Sequence, residues 1–232
     1  MSGAGLVSIE HVCTAAVTST GVDGAAVTLI SGPTQCDTVH ASNRLAADLE
    51  ECQLTLGQGP GLDAFLSGSP VFAPDLSTDE YLARWPAFTA AALSSGACAV
   101  FTVPIQVGVI RFGVLDLYRA GAGPLGPVEL ADALAFADVA CMLMLDGSAG
   151  LNPEAAELTW QGSADATARQ AHVHQATGML LAQLGTTAEA AFARLRSYAY
   201  LHDRRLGDVA RDVVERRLRF EPEAPLVEPG DA

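Results

Sequence analysis

Leu6, Ile9, Cys13, Ala16 and Val17 recur at helical spacing and predict an amphipathic helix that stops before Gly21. Two short runs of β-branched and apolar residues follow, Ala25 to Ile30 and Thr38 to Ala41. Ser31-Gly32-Pro33-Thr34 separates them, so they read as a hairpin. Leu45 to Leu54 is helical in pattern, and Arg84 to Leu93 reads as a helix with Pro86 near its first turn, where a missing N–H is harmless. Ala97 to Pro104 and Val109 to Tyr118 are strand-like and joined by a turn at Gln106-Val107-Gly108; Gly113 marks a bulge or a close packing contact. Leu130, Leu134, Ala137, Cys141 and Leu145 then define a long helix from Pro127 to Leu145. Helices before, between and after paired strands predict an α+β domain with a largely antiparallel sheet.

Past a stretch rich in Gly, Ser, Ala and acids, the pattern changes to helices alone. Val173, Ala176, Leu180, Leu181 and Leu184 share one helical face, and Gly185 is placed to end that helix. Thr186 and Glu189 have the spacing of a capping box for a second helix whose core face is Ala191, Phe192, Leu195, Tyr198 and Ala199. Leu206, Val209, Ala210, Val213, Val214 and Leu218 define a third. Three amphipathic helices with short joints predict a three-helix bundle. The expected organisation is therefore a domain over 1–146, a linker over 147–165, the bundle over 166–220 and an acidic flexible tail over 221–232.

Charge sharpens that division. The chain has 232 residues, 13 basic against 27 acidic and a net charge of −14. Its basic residues are all arginine, and they are unevenly spread. Met1 to Ala168 holds 4 arginines and 18 acids, Arg169 to Arg219 holds 9 arginines and 5 acids, and the remaining 13 residues hold 4 acids. The acidity of the whole argues against non-specific attraction to nucleic acid or anionic membranes. A locally positive segment still presents a basic face, because screening confines distant charges to about 8 Å at physiological salt. Arginine is the better cation for forked contacts to phosphate or guanine edges.

Cys13, Cys36, Cys52, Cys98 and Cys141 are odd in number, lack a C-x-x-C pair and read as buried thiols of a reducing compartment. No run approaches the roughly 20 apolar residues that span a bilayer, and no signal-peptide pattern opens the chain, so a cytoplasmic protein without membrane attachment is expected. His172 and His174 stand at positions i and i+2 of the first bundle helix, pointing about 200° apart, which disfavours one ion held by both. Gly178 in mid-helix implies close approach of another backbone or of a partner. The glycine-rich Leu56 to Phe65, LGQGPGLDAF, lacks the spacing and the lysine of a phosphate loop and reads as a structural turn. Scattered carboxylates such as Asp63, Asp75 and Asp116 read as caps and solvated residues, and no hydrolase elbow, zinc-protease or Walker motif is present. Neither catalysis, a metal nor a cofactor is expected.

The stretch RQAHVHQATGMLLAQLGTTAEAAFARLRSYAYLHDRRLGDVARDVV resembles the ANTAR domain, an RNA-binding antitermination module. The likeness is carried by A-x-G-x-L at Ala176 to Leu180, A-F-x-x-L-R at Ala191 to Arg196 and L-x-x-V-A at Leu206 to Ala210. Ahead of it, LGQGPGLDA, the RWP at Arg84 to Pro86, the VPI at Val103 to Ile105 and FGVLDLY at Phe112 to Tyr118 resemble the GAF domain that actinobacterial regulators fuse to ANTAR. The resemblance implies a signal-responsive regulator that binds paired RNA hairpins in a leader transcript as a homodimer and prevents terminator formation. His172, Gln175, Arg194, Arg196, Arg204, Arg205 and Arg211 are the RNA-binding residues it suggests. Thr177 departs from the lysine many ANTAR domains carry before the core glycine, so that phosphate contact is missing, and His172, His174 or the arginines would compensate. In the GAF-like part, the resemblance puts any small-molecule pocket between Ala97 to Val103 and Val109 to Leu117, under Asp75 to Trp85; a closed core is the alternative, and no ligand is identified. Against the antiterminator stands a non-enzymatic signalling adaptor, working through small-ligand binding or protein contacts without RNA.

Overall fold

The computed structural model describes residues 7–32, 35–148 and 164–221. The chain divides into two compact units, residues 1–168 and 169–232. The expected linker and acidic tail fall almost wholly outside the described residues, as do Leu6 and the Pro33-Thr34 turn.

The front unit begins with α1 (Ile9–Thr20), started by Ser8, whose hydroxyl accepts from the His11 N–H. Five strands follow: β1 (Gly24–Gly32), β2 (Gln35–Ala41), β3 (Val71–Ala73), β4 (Ala99–Val107) and β5 (Ile110–Arg119). They form one antiparallel sheet in the order β2-β1-β5-β4-β3. Between β2 and β4 lie α2 (Arg44–Leu56), α3 (Pro60–Ser67), α4 (Asp79–Arg84) and α5 (Pro86–Ser94), and α6 (Pro127–Ser148) follows the sheet.

Strand alternation sorts the sheet into two faces. Ala25, Val27, Phe101, Val103, Leu115 and Leu117 pack with residues of α1 and α6 into one core. Ala26, Val100, Val114 and Tyr118 pack with α2, α3 and the aromatic group Tyr81, Trp85 and Phe88 into the other. Pro104 is tolerated in β4 because β3 pairs only with Val100 to Thr102, leaving that edge open farther along. Gly113 is the close contact its sequence position suggested: a Cβ there would lie 2.0 Å from the Thr28 carbonyl oxygen of β1. The β4–β5 turn is Gly108-Val109, one residue later than the pattern indicated, with Gly108 at φ 60° in a two-residue hairpin loop.

The inner face of α6 differs from the expected one. Ala133, Ala137, Ala140, Cys141 and Met144 are buried, whereas Leu134 and Leu145 are exposed. Small alanines let the helix lie close to the sheet and α1, and this close approach outweighs burying the larger leucines. The cysteines are also less uniform than expected. Cys13 and Cys141 are buried, Cys36, Cys52 and Cys98 are half-buried, and all five are free thiols. Burial pushes Cys13 up to about 12 and Cys52 to about 11, which keeps both protonated and unreactive.

The second unit holds α7 (Ala164–Leu184), α8 (Ala188–Leu201) and α9 (Leu206–Val214). Val173, Ala176, Leu180, Ala191, Phe192, Leu195, Ala199, Leu206, Val209, Ala210 and Val213 form its buried apolar set. Leu181 is exposed rather than on the core face, and Tyr198 is half-buried. The cap of α8 is Thr187, one residue beyond the predicted Thr186, because Gly185 at φ 62° and the Thr186 N–H, donating to the Leu181 carbonyl, complete the end of α7 first. The third helix stops at Val214 instead of reaching Leu218. Arg216 takes a left-handed φ of 60°, and the N–H groups of Arg217 and Leu218 turn back to the Asp212 carbonyl.

Candidate nucleic-acid interface and a buried carboxylate pair

On α7, His172 is half-buried, and His174 and Gln175 are exposed. Thr177 turns its hydroxyl back to the Val173 carbonyl at 2.7 Å, a bond within its own helix. Gly178 is exposed and a Cβ there would meet nothing within 4 Å, so no helix crossing within the described residues explains it.

The arginines divide into two kinds. Arg204 reaches Asp212 at 2.6 Å, Arg217 reaches the same carboxylate at 2.6 Å and also Glu215, and Arg211 bonds Asp208 one turn away. Hydrogen bonds from Arg204 and Arg217 hold the Asp212 carboxyl below its ordinary range, and the Asp212 bond raises Arg204. These pairs neutralise part of the basic charge around α9. On α8, Arg194 and Arg196 lie on opposite flanks of the buried stripe: Arg194 donates to the Glu221 carbonyl at 3.0 Å, and Arg196 lies over the Phe192 ring at 5.7 Å. Arg205 is exposed at the start of α9.

One arrangement escaped the sequence reading. Arg194, Tyr198 and His202 are spaced four apart and share a flank of α8. The Tyr198 and His202 rings stack with centroids 3.9 Å apart, and Phe220 meets Tyr198 edge-on at 5.3 Å. The i, i+4 spacing in RLRSYAYLHDRR was the available signal; assigning Tyr198 to the core obscured it.

The front unit contains a different concentration of polar groups. Glu50 and Gln53 of α2 face Thr28, Thr102, Asp116 and Tyr118 of the sheet, all of them buried. Thr28 donates to Glu50 at 2.8 Å, and the Tyr118 hydroxyl donates to Glu50 at 2.7 Å; Gln53 donates to the Tyr118 oxygen at 3.0 Å and to Asp116 at 3.3 Å, and Thr102 donates to Asp116 as well. Burial, then the neighbouring Asp116 charge, pushes Glu50 well above the usual carboxylate range, and burial brings Asp116 up to about 6. Their mutual hydrogen bond raises Glu50 and lowers Asp116, so Glu50 holds the proton.

Asp116 is therefore a buried member of a network, not the solvated residue its sequence context suggested. Asp63 bonds Arg84 and the Trp85 ring N–H, and Asp75 accepts from Ser77 in a local turn, as capping residues do. The glycine-rich loop serves the same network. The Gly61 N–H donates to Gln53 at 2.8 Å, and Cβ atoms on Gly59 and Gly61 would lie 2.3 Å from Gln53 and 2.9 Å from Asp116. The loop thus closes over side chains of its own domain. Among the described residues no group of three or more His, Cys, Asp or Glu is placed to hold a metal ion, and no helix is long and apolar enough to cross a membrane.

Residues 164–214 match the ANTAR domain family. The second unit is an ANTAR domain. In front of it stands the separate α+β unit, a five-stranded antiparallel sheet with helices packed on both faces. Solved structures similar to the front unit include a domain of a two-component sensor histidine kinase protein from Sinorhizobium meliloti. That similarity has 15% identity and a TM-score of 0.49, over 61% of this chain and 92% of that one. The GAF domain of an Acinetobacter phosphoenolpyruvate-protein phosphotransferase is similar at 10% identity and TM-score 0.48, over 62% and 87%. The GAF-B domain of DevS from Mycobacterium smegmatis is similar at 18% identity and TM-score 0.44, over 62% and 96%. No curated protein matches the chain in sequence.

Proposed function

We propose that the chain is a cytoplasmic, signal-responsive transcription antiterminator whose ANTAR domain binds paired hairpins in a leader RNA and whose GAF-like domain receives the signal. The observation that carries this reading is the overlap of the ANTAR match with the basic segment of an acidic chain: 9 of its 13 arginines lie between Arg169 and Arg219, and six of these lie within the matched residues 164–214. His172, Gln175, Arg194, Arg196, Arg204, Arg205 and Arg211 form the proposed contact set, with arginine supplying the phosphate contacts that Thr177 does not.

A homodimer is part of the proposal. Val128, Ala131, Ala135, Asp138, Met142 and Leu145 are all exposed on α6 and alternate three and four residues apart, the spacing of a coiled-coil seam. A signal that binds one association state of the front unit better than the other would shift the population presented to RNA. The alternative, an adaptor acting without RNA, is favoured by the pairing of Arg204, Arg211 and Arg217 with Asp208, Asp212 and Glu215. Single-round transcription through a leader in which two hairpins overlap a terminator tests the proposal. Purified full-length protein is expected to increase read-through several-fold; unchanged termination rejects it.

A further inference from the structure

We infer that the stacked pair Tyr198 and His202 is a platform for an unpaired RNA base, with His202 as the residue the base lies on; this rests on the RNA-binding reading above. Three observations converge on one end of α8. The His202 ring is exposed although one of its faces is stacked on Tyr198 at 3.9 Å, so its remaining surface is open to a third planar group. Its orientation is fixed: Nδ1 lies 2.9 Å from the Tyr198 carbonyl, an oxygen that only accepts, so Nδ1 is the donor in this contact. Phe220 buttresses Tyr198 edge-on, and the strand of chain bearing it is held by Gln183 donating to the Phe220 carbonyl at 2.5 Å and Arg194 to the Glu221 carbonyl at 3.0 Å.

The surroundings suit a nucleotide. Leu201, 76% exposed, stands on the same flank of the helix as Tyr198 and offers apolar contact to a base edge. Asp203, at a left-handed φ of 48°, turns the chain directly after His202, and Arg204 and Arg205 follow it in sequence. An aromatic face with arginines beside it is the recurring solution for bases splayed from single-stranded loops, whereas duplex stems give such a face nothing to stack on. The platform therefore recognises the hairpin loop, and the paired stem is held through phosphates.

The test uses the full-length protein and a hairpin RNA carrying 2-aminopurine at successive loop positions, with the isolated stem duplex as reference. The unaltered protein should prefer the hairpin to the duplex and quench 2-aminopurine at one loop position. His202→Ala should weaken hairpin binding about 5- to 150-fold and abolish the quench, while duplex binding stays unchanged. His202→Phe, which keeps the ring and loses the nitrogens, should restore both to within about threefold. A His202→Ala protein that keeps its hairpin affinity and its quench, with the unaltered protein still preferring the hairpin, overturns the platform alone. An unaltered protein without preference for the hairpin overturns the RNA reading and the platform together.

Discussion

Glu50 and Asp116 lie together in one buried hydrogen-bonded cluster, and this makes the front unit's stability depend on pH in a defined direction. A carboxyl whose pKa is raised by folding stabilises the native state fully below its unfolded value, and that contribution is lost as pH rises through the folded value. The window runs from about 4 up through Asp116's value of about 6 and on toward the still higher range of Glu50. Glu50→Gln keeps the shape and removes the second charge. Denaturant titrations should show the unaltered protein losing stability relative to this variant as pH rises from 5 to 8; a constant difference across that range contradicts a raised Glu50. Little of this cluster was legible in the sequence. Alternation in FGVLDLY does put Val114, Asp116 and Tyr118 on one face, yet Glu50 and Gln53 arrive from a helix more than 60 positions away, and spacing carries no information about such a partnership.

Elements with a full period of pattern were read well, and their ends less so. The hairpins, α1, α2 and α5 to α9 follow from periodicity, but α4, at six residues, is too short to display any, and Thr186 competed with Thr187 for the cap because both precede the same helix. The structure decides between the two threonines: Thr187 accepts from the Ala190 N–H. Thr187→Ala should therefore cost about 1 kcal/mol in thermal or chemical unfolding of the ANTAR domain, and Thr186→Ala much less. Gly113 imposes a larger constraint on the sheet. Its missing Cβ is what lets β5 lie against Thr28 of β1, and Gly113→Ala should destabilise the front unit by about 3 kcal/mol or more, read from its urea midpoint.

Across the whole chain, an acidic front unit precedes a segment, Arg169 to Arg219, with 9 arginines against 5 acids, so the net charge of −14 hides the property of the part. The composition shift made this division legible, whereas the outward row on α6 was not, because a helix that is apolar nearly all round does not reveal which face turns inward. If that row joins two copies, Met142→Glu should shift sedimentation from dimer to monomer while leaving the far-ultraviolet spectrum unchanged; an unaltered sedimentation coefficient removes α6 from the interface. The central claim is that the ANTAR domain reads RNA loops. Its most direct test is binding of the full-length protein to an RNA of two short hairpins with six-nucleotide loops, compared with the same stems bearing scrambled loops over a salt series. The account predicts affinity that weakens with salt for both RNAs, with the preference for the intact loops persisting throughout. Equal affinity for the two RNAs, or binding to neither at any salt concentration, would contradict it.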